Sequence, residues 1–186
     1  MDAKTVSLVR MEIPLQHTWT FWMDTYSTGI TSSNYEANLK PLYEVKTVQD
    51  FWRAYNNTTE PQKLHNRNNI HFMKRDIKPL WEDPANEKGG CFTFRIDKKE
   101  TAKVWPELLM LLIGEQLDGI IVSGDEVCGL SVGSRWNSDV IQLWNARADL
   151  FNEKAITKKI KDTLGSVELQ LPYYKPHKEH DAFTKK

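Results

Sequence analysis

Residues 127–136 and 139–144 alternate in polarity with a period of two, and Trp136-Asn137-Ser138-Asp139 between them is a turn-forming stretch. No other feature restricts the fold as much, because two such runs joined by a short loop can only be an antiparallel hairpin. Taking those four residues as the loop sets a register in which Arg135 faces Val140, Gly133 faces Gln142 and Ser131 faces Trp144, all on one side. The other side holds Val132, Ile141 and Leu143, a purely apolar face made to be covered. Arg135, Gln142 and Trp144 are an unusual set for a core, so the first side is a candidate ligand surface.

Helical periodicity supplies the cover. Thr47-Val48-Gln49-Asp50 reads as a capping box opening a helix in which Phe51 and Tyr55 share one face and Val48 and Trp52 another. One short helix cannot bury both faces in one sheet. With Phe51 and Tyr55 inward, Val48 and Trp52 become either a satellite of the core or an exposed docking surface. Residues 103–114 form a second helix, with Pro106 in its first turn, Trp105, Leu108, Leu109 and Leu112 at core spacing, and Glu107, Met110 and Gly114 on a second stripe. Ile156, Ile160 and Leu164 mark a third, ended by Gly165. Further strands are expected at 17–22, where Trp19 and Phe21 point one way and Trp22 the other, and at 39–45, 71–74, 91–96 and 167–171, before a charged tail from Tyr174. Residues 56–69 read as polar and structureless, and no internal repeat is present.

Composition narrows the function. A chain of 186 residues with 40% hydrophobic content supports one well-buried core. Its 25 basic and 25 acidic residues argue against coating nucleic acid through a broad basic surface, so any RNA contact is local. Residues 1–15 carry Asp2, Lys4, Arg10 and Glu12 without a long apolar stretch, which predicts neither signal peptide nor membrane anchor and a soluble intracellular protein. Cys91 and Cys128 lack a CxxC pattern and histidines at ligand spacing, and read as buried small apolar residues with no zinc or disulfide. No phosphate loop, dinucleotide fingerprint or HExxH occurs, and no cofactor is expected. Gly129-Leu130-Ser131-Val132-Gly133 matches a nucleophile elbow, with His177 and His180 downstream, and offers serine hydrolysis as the alternative reading. An elbow requires strand, sharp turn and helix, whereas Ser131 lies inside the hairpin run. A non-enzymatic binding protein is the better class.

The ligand is suggested by Ile77-Lys78-Pro79-Leu80-Trp81-Glu82-Asp83-Pro84-Ala85-Asn86, where two prolines brace an adjacent aromatic and carboxylate. The ring can stack on a flat, positively charged base, and the carboxylate offers two acceptors to guanine N1 and N2. By itself Trp81 reads more simply as a plug at the edge of a core. A second ring could come from Tyr35 or Tyr26, both set in or beside a Ser/Thr/Gly-rich loop over 24–34.

Together with Tyr35-Glu36-Ala37-Asn38-Leu39, Thr47-Val48-Gln49-Asp50-Phe51-Trp52, Gly89-Gly90, Leu112-Ile113-Gly114-Glu115 and Val127-Cys128-Gly129, these motifs resemble the translation initiation factor 4E family, which binds the 5′ cap of mRNA. The resemblance spans about residues 13–180. It implies an α+β domain at 13–178, a curved antiparallel sheet with about three helices on the convex face and a ligand pocket on the concave face, between a flexible arm at 1–12 and a polar tail at 179–186. It further implies that Tyr35 and Trp81 sandwich 7-methylguanine, Glu82 reads its N1 and N2 edge, Trp144 touches the N7-methyl group and Arg135 holds the triphosphate. Pro14, Val48, Trp52, Glu107 and Met110 would form a dorsal site for scaffold or repressor proteins carrying a Tyr-x-x-x-x-Leu-apolar helix. A monomer without membrane contact is implied, located in the cytoplasm, the nucleus or messenger-ribonucleoprotein granules. Tyr35 in place of the commoner Trp resembles the divergent second class, which includes the 4E homologous protein and plant novel cap-binding proteins and often represses translation. Cys91 and Val140 stand where basic residues are usual, leaving the phosphates mainly to Arg135, and Pro106 replaces an apolar Leu of the dorsal groove.

Overall fold

The computed structural model describes residues 11–28 and 35–179. Its hairpin closes one residue earlier than the turn chemistry suggests: β5 (Val127–Ser134) and β6 (Asp139–Asn145) pair Ser134 with Asp139, so the loop is 135–138. Asp139 is the reason. Its carboxylate is fully buried and accepts from Thr101 Oγ1 at 2.7 Å and Lys98 Nζ at 2.7 Å, which pins it in the strand, while Arg135 N–H closes the turn onto Ser138 O at 3.1 Å. Gly133 therefore faces Val140, Ser131 faces Gln142 and Gly129 faces Trp144. The register thereby slips by two residues, an even number, so each residue keeps its side of the sheet. Arg135 leaves the strand for the turn.

Around this hairpin lie β1 (Pro14–Asp24), β2 (Lys40–Thr47), β3 (Asn69–Lys74), β4 (Gly90–Ile96) and β7 (Gln170–Pro176), giving one curved antiparallel sheet in the order β2-β1-β3-β5-β6-β4-β7. Helices α1 (Val48–Asn57), α2 (Thr101–Ile113) and α3 (Glu153–Leu164) cover one face. The α+β architecture is thus as expected. Trp19, Phe21, Phe72, Phe92, Phe94, Leu130, Val132, Ile141 and Leu143 meet Phe51, Trp105, Leu108, Leu109, Ile156 and Ile160 there. Each such side chain contributes about 1.5–3 kcal/mol relative to exposure. A smaller cluster of Met73, Ile77, Cys91, Cys128 and Trp144 sits apart from this core, flanked by Trp22, Trp81, Ala85 and Ala146. Both cysteines are buried and reduced.

Three local expectations need correction. Helix α2 begins at Thr101 after a 3-10 turn, so Pro106 lies in its second turn; the i−4 carbonyl it cannot satisfy belongs to exposed Ala102 and is open to water. Residues 56–69 are not structureless, since Pro61–Lys63 form a 3-10 turn with Pro61 buried. The last strand starts later and absorbs the beginning of the tail: Tyr174 pairs with Phe92, stacks on Phe151 at 4.0 Å and donates to Asn145 Oδ1 at 2.8 Å, and His177 is buried. Most of the expected arm and tail, and residues 29–34 of the loop before Tyr35, lie outside the described residues.

Candidate functional site

The candidate loop is braced by more than its prolines. Asp83 accepts from Lys78 N and Ala85 N, each at 3.0 Å, and fully buried Asn86 donates from Nδ2 to Lys78 O at 2.9 Å and Leu80 O at 2.8 Å. Between these struts Trp81 is half-buried against the smaller apolar cluster, and Glu82 is exposed. Among the described residues the Glu82 carboxylate makes no hydrogen bond or ion pair, so its acceptors face outward. An aromatic edge thus stands beside an unsaturated acceptor pair on a rigid turn.

On the sheet face away from the helices a line of side chains runs from half-buried Tyr35, in the turn before β2, through one buried residue each of β1, β3, β5 and β6. Tyr35 O–H donates to Asp24 Oδ2 at 2.5 Å, His71 Nε2 lies 3.1 Å from the same oxygen, and His71 Nδ1 lies 2.7 Å from Ser131 Oγ, which accepts from Trp144 Nε1 at 2.9 Å. Ionised Asp24 can only accept and the Trp144 indole can only donate, so His71 Nε2 carries a proton toward Asp24 and Ser131 Oγ receives the indole N–H. Asn69 donates to Asp24 at 2.8 and 3.0 Å, and its Oδ1 accepts from Arg135 Nη1 and Nη2 at 3.3 Å. One network therefore positions Tyr35, Trp144 and Arg135, and the apolar cluster ties Trp81 to Trp144.

Electrostatics agree with this wiring. Burial by itself would raise the Asp24 pKa, but the hydrogen bond and charge of His71 and the bonds from Tyr35 and Asn69 prevail and hold it below the ordinary carboxylate value. Burial and then the Asp24 charge push the Tyr35 phenol up, keeping it protonated as the donor. Burial lowers Arg135, Asp24 and Asp139 oppose that shift, and Arg95 and Arg67 add to it. Two further arginines are thus close enough to be felt.

None of Asp24, Asn69, His71, Arg67 or Arg95 was nominated from the sequence. Arg95 was recoverable, because it alternates with Cys91 and Thr93 along β4 and pairs with Val140. The Asp24–His71 pair joins residues far apart in the chain and left no local signal. Tyr26, the rival second ring, is 49% exposed and engaged elsewhere, with the Arg67 guanidinium 4.7 Å from its ring centre.

The hydrolase alternative fails here. Asp24, His71 and Ser131 do form a hydrogen-bonded line, but all three are at most 4% exposed, Ser131 is mid-strand, and its oxygen already accepts the indole proton. The ring is also reversed relative to a catalytic triad, with the serine on Nδ1 and the acid on Nε2. Packing accounts for both glycines of the motif: a Cβ at Gly129 would collide with Met73 and the Phe72 carbonyl, and one at Gly133 with Asn69 Oδ1 and Arg135 Nη1.

On the helical side Trp52 is 40% and Met110 38% exposed, Pro14 is exposed, and Val48 and Glu107 are half-buried. Trp52 rests edge-on against Phe51 at 5.0 Å and Tyr55 at 5.8 Å. The chain before β1 lies along the start of α1, with Val48 N–H donating to Ile13 O at 2.9 Å and Ile13 N–H to Gln49 Oε1 at 3.0 Å, which places Pro14 beside Val48. Among the described residues no group of His, Cys, Asp and Glu could hold a metal ion, and no helix is long and apolar enough to cross a membrane.

A sheet backed by three helices, with aromatic, acidic and basic side chains gathered on the face away from them, has the form of a ligand-binding domain. Residues 14–186 match the family model for eukaryotic initiation factor 4E. The chain is 34% identical over 171 residues to the rice translation initiation factor NCBP, covering 91% of this chain and 72% of that one, and 38% identical over 170 residues to Caenorhabditis elegans initiation factor 4E-4, covering 90% and 76%. It superposes on C. elegans eIF4E-3 in complex with the 4E-binding protein Mextli and cap analog with a TM-score of 0.80 at 31% identity, covering 92% and 96% of the two chains. On Ascaris suum eIF4E-3 with m2,2,7G cap the TM-score is 0.77 at 31% identity, with 91% and 94% covered. This chain belongs to the eukaryotic initiation factor 4E family, and it is not an enzyme.

Proposed function

We propose that this chain binds the 7-methylguanosine cap of mRNA in its open sheet face and acts in translation initiation or its regulation. The observation that carries the reading is the network holding Tyr35, Trp144 and Arg135 on the face where the Trp81-Glu82 turn is seated. Tyr35 and Trp81 stack on the methylated base, whose positive charge strengthens the contact. Glu82 accepts from N1 and N2, Trp144 closes the floor at the methyl group, and Arg135 holds phosphate. Arg95, across from Val140, restores a cation near positions where the resemblance leaves Val140 and Cys91 neutral. The structural neighbours bound to cap analogs support this reading.

The exposed Trp52 and Met110, with Pro14, Val48 and Glu107, form the surface for a partner helix of Tyr-x-x-x-x-Leu-apolar type. Similarity to NCBP, with tyrosine at position 35, supports placement in the second class, where repression is the role to test. The same reading takes the protein to be a monomer located in the cytoplasm, the nucleus or messenger-ribonucleoprotein granules. Retention on a 7-methyl-GTP resin, with elution by 7-methyl-GTP and not by GTP, tests the primary reading; elution by both nucleotides alike would reject it.

A further inference from the structure

The β5–β6 turn holds Trp136 81% exposed, a large indole that packing does not explain. Its surroundings are basic and aromatic. Arg95 Nη1 donates to Ser138 Oγ at 3.1 Å within the same turn, and Arg67 N–H donates to Ser134 O at 2.8 Å at its base. Arg67 occupies the left-handed region with φ of 70°, an unfavourable conformation for a bulky residue, and its guanidinium lies over the exposed Tyr26 ring. The nearby carboxylates do not offset this charge at the surface, since Asp24 and Asp139 are buried and Asp139 is paired with Lys98. In a chain with equal numbers of acidic and basic residues this is a local concentration of cations, continuous with Arg135.

We propose that this end of the sheet is a platform for single-stranded RNA immediately downstream of the cap, with Trp136 stacking on a base and the Tyr26–Arg67 pair forming a second contact. The inference rests on the cap-binding reading, because phosphates held at Arg135 and Arg95 direct the emerging chain across this turn. Base-on-aromatic stacking tolerates any sequence, and arginines spaced along the exit track the backbone. A protein partner would instead need an apolar surround, and the residues flanking Trp136 are polar or charged: Arg135, Asn137 and Ser138.

The test uses fluorescence anisotropy of a five-nucleotide RNA labelled at its 3′ end, capped or uncapped, with unlabelled 7-methyl-GTP and GTP as competitors. The capped RNA should bind more tightly than 7-methyl-GTP, Trp136→Ala should reduce that advantage about tenfold while leaving 7-methyl-GTP affinity unchanged, and Trp136→Phe should keep most of it. Arg67→Ala should lower the salt dependence for capped RNA and not for 7-methyl-GTP. Equal affinities of the wild type for capped RNA and 7-methyl-GTP, or an unaltered advantage in Trp136→Ala, would overturn the inference while leaving cap binding intact. Failure of 7-methyl-GTP to outcompete GTP would overturn both.

Discussion

Replacing Asp24 with Asn changes one buried charge and almost no volume. The carboxylate accepts Tyr35 O–H at 2.5 Å, two contacts from Asn69 at 2.8 and 3.0 Å, and the His71 ring at 3.1 Å. An amide placed with its oxygen toward Tyr35 and His71 keeps those bonds without charge assistance, and turns its own N–H₂ toward the Asn69 donor. Hydrogen bonds to charged groups contribute about 1.5–3 kcal/mol and neutral ones about 0.5–1.5 kcal/mol, so Asp24→Asn should cost about 1–3 kcal/mol of stability. Because the folded Asp24 pKa is depressed, its contribution is present above the unfolded carboxylate value and is lost as pH falls through the lower folded value. The acid limb of the wild-type stability profile should accordingly flatten in the variant. Cap affinity, measured by calorimetry at neutral pH, should fall about tenfold as the bond that anchors Tyr35 loses its charge assistance. Tyr35→Phe, which removes the bond outright, should lose at least as much, and combining the two substitutions should cost less than their sum. Strict additivity, or unchanged cap affinity in Asp24→Asn, would refute the claim that Asp24 works through Tyr35.

Glu82→Ala should weaken 7-methyl-GTP binding by about 1–3 kcal/mol, because guanine donors are then left unpaired in a desolvated slot, and should leave the melting temperature nearly unaltered since Glu82 is exposed. Arg135→Ala and Arg95→Ala should each make the salt dependence of binding shallower, and Val140→Lys steeper; an unaltered slope in both alanine variants would move the phosphate contact to Lys175, which pairs with Cys91 on β4. Trp52→Ala should remove partner proteins co-purifying on cap resin while cap affinity holds. Its stability cost should be about 1 kcal/mol, the value of its edge contacts with Phe51 and Tyr55, and not the 3–5 kcal/mol of a buried tryptophan. A large drop in a thermal melt would place Trp52 in the core.

The fold was legible wherever a period and a cap coincided. Thr47 accepts from Asp50 N at 3.0 Å as the capping motif requires, and Gly165 ends α3 in the left-handed region. Trp19 and Phe21 are buried in the main core, and Trp22 is turned to the other face with His71. The errors arose where a long-range contact outweighed local chemistry. Asp139 looked like a turn residue and became a strand residue because Lys98 and Thr101 hold it, and Tyr174 was drawn out of the tail by Phe151 and Asn145. The site divides in the same way. Trp81-Glu82 is contiguous in sequence and could be read directly, whereas the Tyr35–Asp24–His71–Ser131–Trp144 line exists only after four strands are set side by side.

The most direct measurement of the central claim is a tryptophan-fluorescence titration of the wild type with 7-methyl-GTP and with GTP under identical salt. Stacking of the methylated base on Trp81 should quench emission at low concentrations of 7-methyl-GTP, and GTP, whose base lacks the positive charge, should require far more. An equal response to the two nucleotides, or none to either, would contradict it.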